Sequence, residues 1–264
     1  MGSGNYRLFE NNFNSTDAFR NTLGNDNSAR KILLFGCSYA YGVELEDKDT
    51  FAGKLSEKLN AKVYNRSFPG WGMQHMLYQI KEDSNININS MNDNIDTIIF
   101  VFYKNQIKVM NNFYWASPAE NIYNVRYQLK DGKLEKQPIE HKAFHTSAIA
   151  KFIHNFLEKR AGSDLKNPKN RELMQAILTE SREKLNEKYP NARFIFLSYY
   201  IYNDDGDDYR EVATNAGWEY IDPTDFLEDD INICSEEYHL KNSTNPSGEA
   251  WELVANSLIN NKII

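Results

Sequence analysis

The sequence predicts an α/β fold built on a five-stranded parallel sheet covered by helices on both faces. Two observations carry this. Thr97-Ile-Ile-Phe-Val-Phe102 and Arg193-Phe-Ile-Phe-Leu-Ser198 are continuous rather than alternating apolar runs, as expected of parallel strands buried on both sides. Around them, short β-rich runs alternate with helical patterns, the signature of strand–helix–strand units.

The elements follow in order. Residues 5–30 are polar and Asn-rich and are expected to wrap the surface. Residues 31–36 form the first strand. Asp49 or Thr50 then caps a helix over Phe51–Leu59, whose Phe51, Leu55 and Leu59 recur every four residues. A short strand, 62–66, leads into Ser67-Phe-Pro-Gly-Trp-Gly72, where Pro69 and the glycines break the chain. A helix over 73–81, a polar loop over 85–94 and the strand 97–102 come next. Between this third strand and the fourth, 193–198, lies an insertion over about 104–190. It holds a hairpin over 125–136 turning at Asp131-Gly132, and helices at about 146–160 and 169–188. An acidic loop (204–208), a helix to Ala216, a fifth strand (217–222) and a last helix from about Pro246 to Asn260 complete one domain over 1–264.

Composition narrows the function. The 264 residues carry a net charge of −7, and no Lys or Arg occurs between Arg210 and Lys241 while nine acids do, so a phosphate backbone is an unfavourable partner. No run of 18 apolar residues offers a membrane span. The N-terminus has no basic region followed by an apolar one, and there are only two cysteines, Cys37 and Cys234; both suggest a cytoplasmic protein.

The chemistry begins at the end of the first strand. Gly36-Cys-Ser38 presents a serine just past a buried strand, and a serine hydroxyl attacks a carbonyl only when a base removes its proton. Histidine is the usual base, a carboxylate orients it, and backbone N–H groups or an amide stabilise the oxyanion. The chain offers Ser38 as nucleophile, His239 as base, Glu236 as its orienting acid, and Ser38 N–H, Gly70 N–H and the Asn105 side chain as oxyanion donors. Alternatives exist at each position. Ser38 could cap a helix, or Cys37 could be the nucleophile. Glu237 or Asp230 could replace Glu236. His75, His141, His145 and His154 compete with His239, and His141 with His145 has the spacing of a metal-binding pair.

These stretches resemble the sequence blocks of the SGNH (GDSL-like) hydrolases. Gly36-Cys-Ser38 is similar to the family's Gly-Asp-Ser, and Val63-Tyr-Asn-Arg-Ser-Phe-Pro-Gly70 to the block whose glycine supplies an oxyanion N–H. Tyr103-Lys-Asn-Gln106 stands where the family has Gly-x-Asn-Asp, and Glu236-Glu-Tyr-His239 resembles Asp-x-x-His before a terminal helix. The sequence departs from the pattern at Cys37, Tyr103, Gln106 and Glu236, and His239 is followed by a longer spacing to Gly248, around Lys241–Thr244. The resemblance implies a three-layer α/β/α sandwich of the SGNH/flavodoxin-like kind and a serine esterase or O-acyltransferase acting through an acyl-enzyme, without metal or cofactor. Its substrate would be a small-molecule or saccharide ester. The aromatics Tyr114, Trp115, Tyr123 and Tyr127 either form a sugar-stacking wall or pack the insertion on the sheet. The altered blocks also suit a ligand-binding protein that has lost catalysis.

Overall fold

The computed structural model describes residues 23–81, 94–110, 125–137, 165–199, 206–228 and 231–264. Five strands form one parallel sheet: β1 (Arg30–Phe35), β2 (Ala61–Asn65), β3 (Thr97–Phe102), β6 (Arg193–Ser198) and β7 (Glu219–Ile221), in the order β2-β1-β3-β6-β7. The hairpin expected within the insertion is β4 (Arg126–Lys130) and β5 (Lys133–Gln137), a separate two-stranded sheet. Its turn residues Asp131 and Gly132 both have positive φ, 49° and 75°, as a two-residue type I′ turn requires.

Pleating divides each central strand between two cores. Ile32 and Leu34 of β1, Ile99 and Val101 of β3, and Ile195 and Leu197 of β6 face one side. There they meet α2 (Phe51–Leu59) and the C-terminal helix α7 (Gly248–Asn260), with Phe51 stacked on Trp251 at 4.8 Å. Leu33, Phe35, Ile98, Phe100, Phe194 and Phe196 face the other side. That layer holds α3 (Met73–Lys81), α5 (Pro168–Lys188) and α6 (Gly206–Asn215). The short helices α1 (Ser38–Tyr41) and α4 (Gln106–Met110) follow β1 and β3 directly. The three-layer α/β/α sandwich is therefore present, and the continuous apolar runs reflect two-sided burial.

Caps fix where the helices begin. Thr50, rather than Asp49, caps α2 by accepting from Gly53 N–H at 3.0 Å. Asn167 caps α5 ahead of Pro168, and Ser247 caps α7 by accepting from Ala250 N–H at 3.2 Å. The seventh strand is shorter than 217–222 because the Gly217 N–H closes a turn onto Thr214 O and Asp222 caps the 3₁₀ turn Pro223–Phe226. On the outer edge of β2, Leu23 forms an antiparallel bridge with Val63. The expected helix at 146–160 lies outside the described residues.

Gly36, at the exit of β1, has no room for a side chain. A Cβ there would sit 2.8 Å from Ala40 Cβ and 3.0 Å from Val101 O. Gly36→Ala should therefore lower stability by about 1–3 kcal/mol, the usual cost of overpacking. A urea melt against wild type measures it, and an unchanged midpoint would refute the steric argument.

Candidate active site

The order β2-β1-β3 makes β1 and β3 the point where successive connections leave in opposite directions. Open α/β sheets bind ligands in the crevice beyond the carboxyl ends of such strands. Gly36-Cys-Ser38 leaves β1 at this point and Tyr103-Lys-Asn105 leaves β3 beside it.

Ser38 is the first residue of the one-turn helix α1 and is half-buried. It is not a capping serine. Cys37 holds the N-cap position, and no side chain caps the helix. The turn ends at Gly42, whose left-handed conformation (φ 75°) lets its N–H reach Ser38 O and Tyr39 O. The Cys37 side chain is buried in the core under α2 and α7, against Ser38 and Gln106. Burial pushes its thiol pKa up, so the thiolate a nucleophile needs is disfavoured.

The second block runs alongside the first after both strands end. Arg66 N–H donates to Leu34 O at 2.7 Å and Phe68 N–H to Gly36 O at 3.3 Å. The buried Asn65 amide donates to Ala40 O at 2.8 Å and accepts from Ser67 N–H at 3.1 Å, joining β2 to α1. Phe68-Pro69-Gly70-Trp71 is then a type II turn, closed by Trp71 N–H to Phe68 O at 3.1 Å with Gly70 at φ 80°. Gly70 is exposed at its tip. His75 is occupied in holding this turn. Its Nδ1 accepts from Gly72 N–H at 3.0 Å and its ring stacks on Trp71 at 5.2 Å.

The third block is tied to the other two by Gln106. The side chain is 2% exposed, its Oε1 accepts from Tyr103 N–H at 3.3 Å, and its Nε2 donates to Trp71 O at 3.4 Å and Val101 O at 3.5 Å. Tyr103 lays its ring on Tyr39 at 4.5 Å, nearly parallel, and Tyr39 is the residue after Ser38. Asn105 is exposed, and its Nδ2 donates to the Tyr103 hydroxyl at 2.8 Å.

His239 lies in a loop that closes on itself. A 3₁₀ turn, Glu236–Tyr238, precedes it, and an antiparallel bridge pairs it with Pro246. Leu240 N–H reaches Asn245 O at 2.9 Å and Ser247 N–H reaches Tyr238 O at 2.8 Å. The extra residues around Lys241–Thr244 are thus the tip of a bridged turn, and Ser247 at its base caps α7. Thr244 at this tip lies beside the Tyr39 hydroxyl. His239 is half-buried, and burial pulls its pKa below 6.5 while the Glu236 carboxylate opposes the shift. Glu236 is exposed; Glu237 accepts from the Ser235 hydroxyl at 3.1 Å. Asp230, His141, His145 and His154 lie outside the described residues.

Tyr39 is accordingly the meeting point. It follows Ser38, stacks on the ring that holds Asn105, and abuts the tip of the His239 loop. Tyr127 is buried in the core under the hairpin, so it packs the insertion and cannot stack on a ligand. Tyr114, Trp115 and Tyr123 lie outside the described residues.

Several solved structures share this architecture. An acetyl xylan esterase (Est2A) from the rumen bacterium Butyrivibrio proteoclasticus matches 89% of this chain at TM-score 0.52 and 14% identity. The chain spans 64% of that enzyme's length. A carbohydrate esterase whose active site has divergent catalytic and non-catalytic binding functions matches 91% of this chain and 67% of its own, at TM-score 0.51 and 12% identity. The fold is that of the SGNH hydrolases. A member of the lipolytic G-D-S-L family from Veillonella parvula DSM 2008 aligns over 88% of this chain and 97% of its own at TM-score 0.45 and 13% identity. No family model matches the sequence, and no curated protein matches it.

Within this SGNH fold, Gln106 is a residue whose part the sequence concealed. Replacing it by Leu should leave the Tyr103 N–H without its acceptor and cost about 1–3 kcal/mol. Chemical denaturation checks this, and a stability equal to wild type would show that the amide carries no weight.

Proposed function

We propose that the protein is a serine ester hydrolase with Ser38 as nucleophile and His239 as general base. The observation that carries this is the convergence on Tyr39 of the Ser38 turn, the Asn105 loop and the His239 loop at the β1/β3 crevice.

The neutral imidazole of His239 takes the Ser38 proton as Oγ bonds to the ester carbonyl carbon. The oxyanion is held by the N–H groups of Ser38 and Gly70 and the Asn105 amide. Glu236 stabilises the imidazolium. As the intermediate collapses, His239 protonates the departing alcohol, leaving an acyl-Ser38 ester. Water, deprotonated by His239, attacks that ester; the acid leaves and Ser38 regains its proton. Burial suits His239 to the task, because it favours the neutral form that can accept a proton. The carbohydrate esterases of the same fold support an O-acylated saccharide as substrate.

A binding protein without catalysis is the second reading. It is favoured by the departures from the family blocks at Gln106 and Glu236 and by the exposure of the Glu236 side chain.

Ser38→Ala should reduce hydrolysis of short acyl esters and acetylated saccharides by 10³-fold or more with the fold intact, given the scale of losses at nucleophiles. A fluorophosphonate should label wild type at Ser38 and not the variant. Wild-type protein that neither labels nor hydrolyses would favour the binding reading. The pH profile is a separate check. Since protonated His239 cannot act as base, kcat/KM should fall toward acid with a midpoint below the ordinary 6.5. Glu236→Gln should move that midpoint lower still, because the carboxylate favours the imidazolium. A midpoint that stays put would remove Glu236 from the site.

A further inference from the structure

We propose that Tyr103 is a positioning residue for Asn105, holding the carboxamide in the orientation that donates to the oxyanion. The inference rests on the assignment of Ser38 and Asn105 above.

An Asn amide nitrogen carries two N–H donors. Here Nδ2 gives one to the Tyr103 hydroxyl at 2.8 Å. Because the carboxamide is planar, fixing one N–H fixes the direction of the other, which remains to meet a developing negative charge. Asn105 is exposed at the mouth of a loop, where an untethered side chain exchanges rotamers freely. Tyr103 is itself immobilised. Its ring lies 4.5 Å from that of Tyr39, which is 2% exposed, and its backbone N–H is held by the buried Gln106 amide. A rigid path therefore runs from the core through Tyr39 and Tyr103 to an otherwise mobile amide. Glycine, which occupies this place in the resembling sequence block, has no side chain that could form it.

The test keeps the ring and removes the hydroxyl. Tyr103→Phe should lower kcat for a short acyl ester about tenfold with KM unchanged, because a donor misaligned by a fraction of an ångström loses most where charge develops. Asn105→Ala should cost roughly 10²–10³-fold. On the Asn105→Ala background, Tyr103→Phe should cost nothing more. Stoichiometric fluorophosphonate labelling counts intact sites in each variant, so misfolded protein is not read as lost catalysis. An unchanged kcat in Tyr103→Phe overturns the proposal. So does an equal loss on both backgrounds, since Tyr103 would then act independently of Asn105. Full activity in Ser38→Ala would instead overturn the assignment beneath it.

Discussion

The burial of β1 and β3 on both faces governs everything at the site. Each strand spends its side chains alternately on two helical layers, and its backbone groups on parallel neighbours. The chain can be polar and irregular only where these strands stop. At that edge β1 sends the chain outward to β2, and the chain returns on the opposite side to begin β3. The two exits are adjacent, yet the connections behind them diverge. Topology, rather than any single residue, is what leaves room for a crevice between them.

Loops that leave such an edge must find hydrogen bonds for their backbones, and here buried amides supply them. Asn65 joins β2 to α1, and Gln106 joins the exit of β3 to the Trp71 turn. Each contacts loops that are distant in sequence, so neither can be removed without loosening two segments at once. Aromatic stacking fills what remains, with Tyr39 between Tyr103 and Tyr199, and Tyr199 against Trp251. The geometry of the edge is thus set by a handful of amides and rings behind the residues that would meet a ligand.

How much of this could be read from the chain differs by residue. Ser38 and Gly70 stand out because glycine and proline punctuate apolar runs, and turn chemistry is local. The strand order is not local: parallel partners such as Phe35 and Phe100 are brought together by connections of many residues, and periodicity says nothing about which strand lies beside which. Gln106 reads as a departure from a family pattern, whereas burial turns it into a brace. Tyr103 likewise reads as a lost glycine until its hydroxyl is found on Asn105. Tyr127 is open in the sequence between a ligand wall and packing, and its burial assigns it to packing the hairpin. Polar and aromatic side chains carry meaning only through what surrounds them, and one sequence does not contain that.

The bridge between His239 and Pro246 has a consequence for how such proteins diversify. It separates the residues that must stay in place from those that need not. Below the bridge, His239 and the cap of the last helix are fixed by backbone pairing; above it, Thr244 keeps the tip beside the Tyr39 hydroxyl while the residues around it can vary in number. A loop built this way is a natural place for new contacts with a bound molecule to be added by insertion, while the base keeps its register with the sheet.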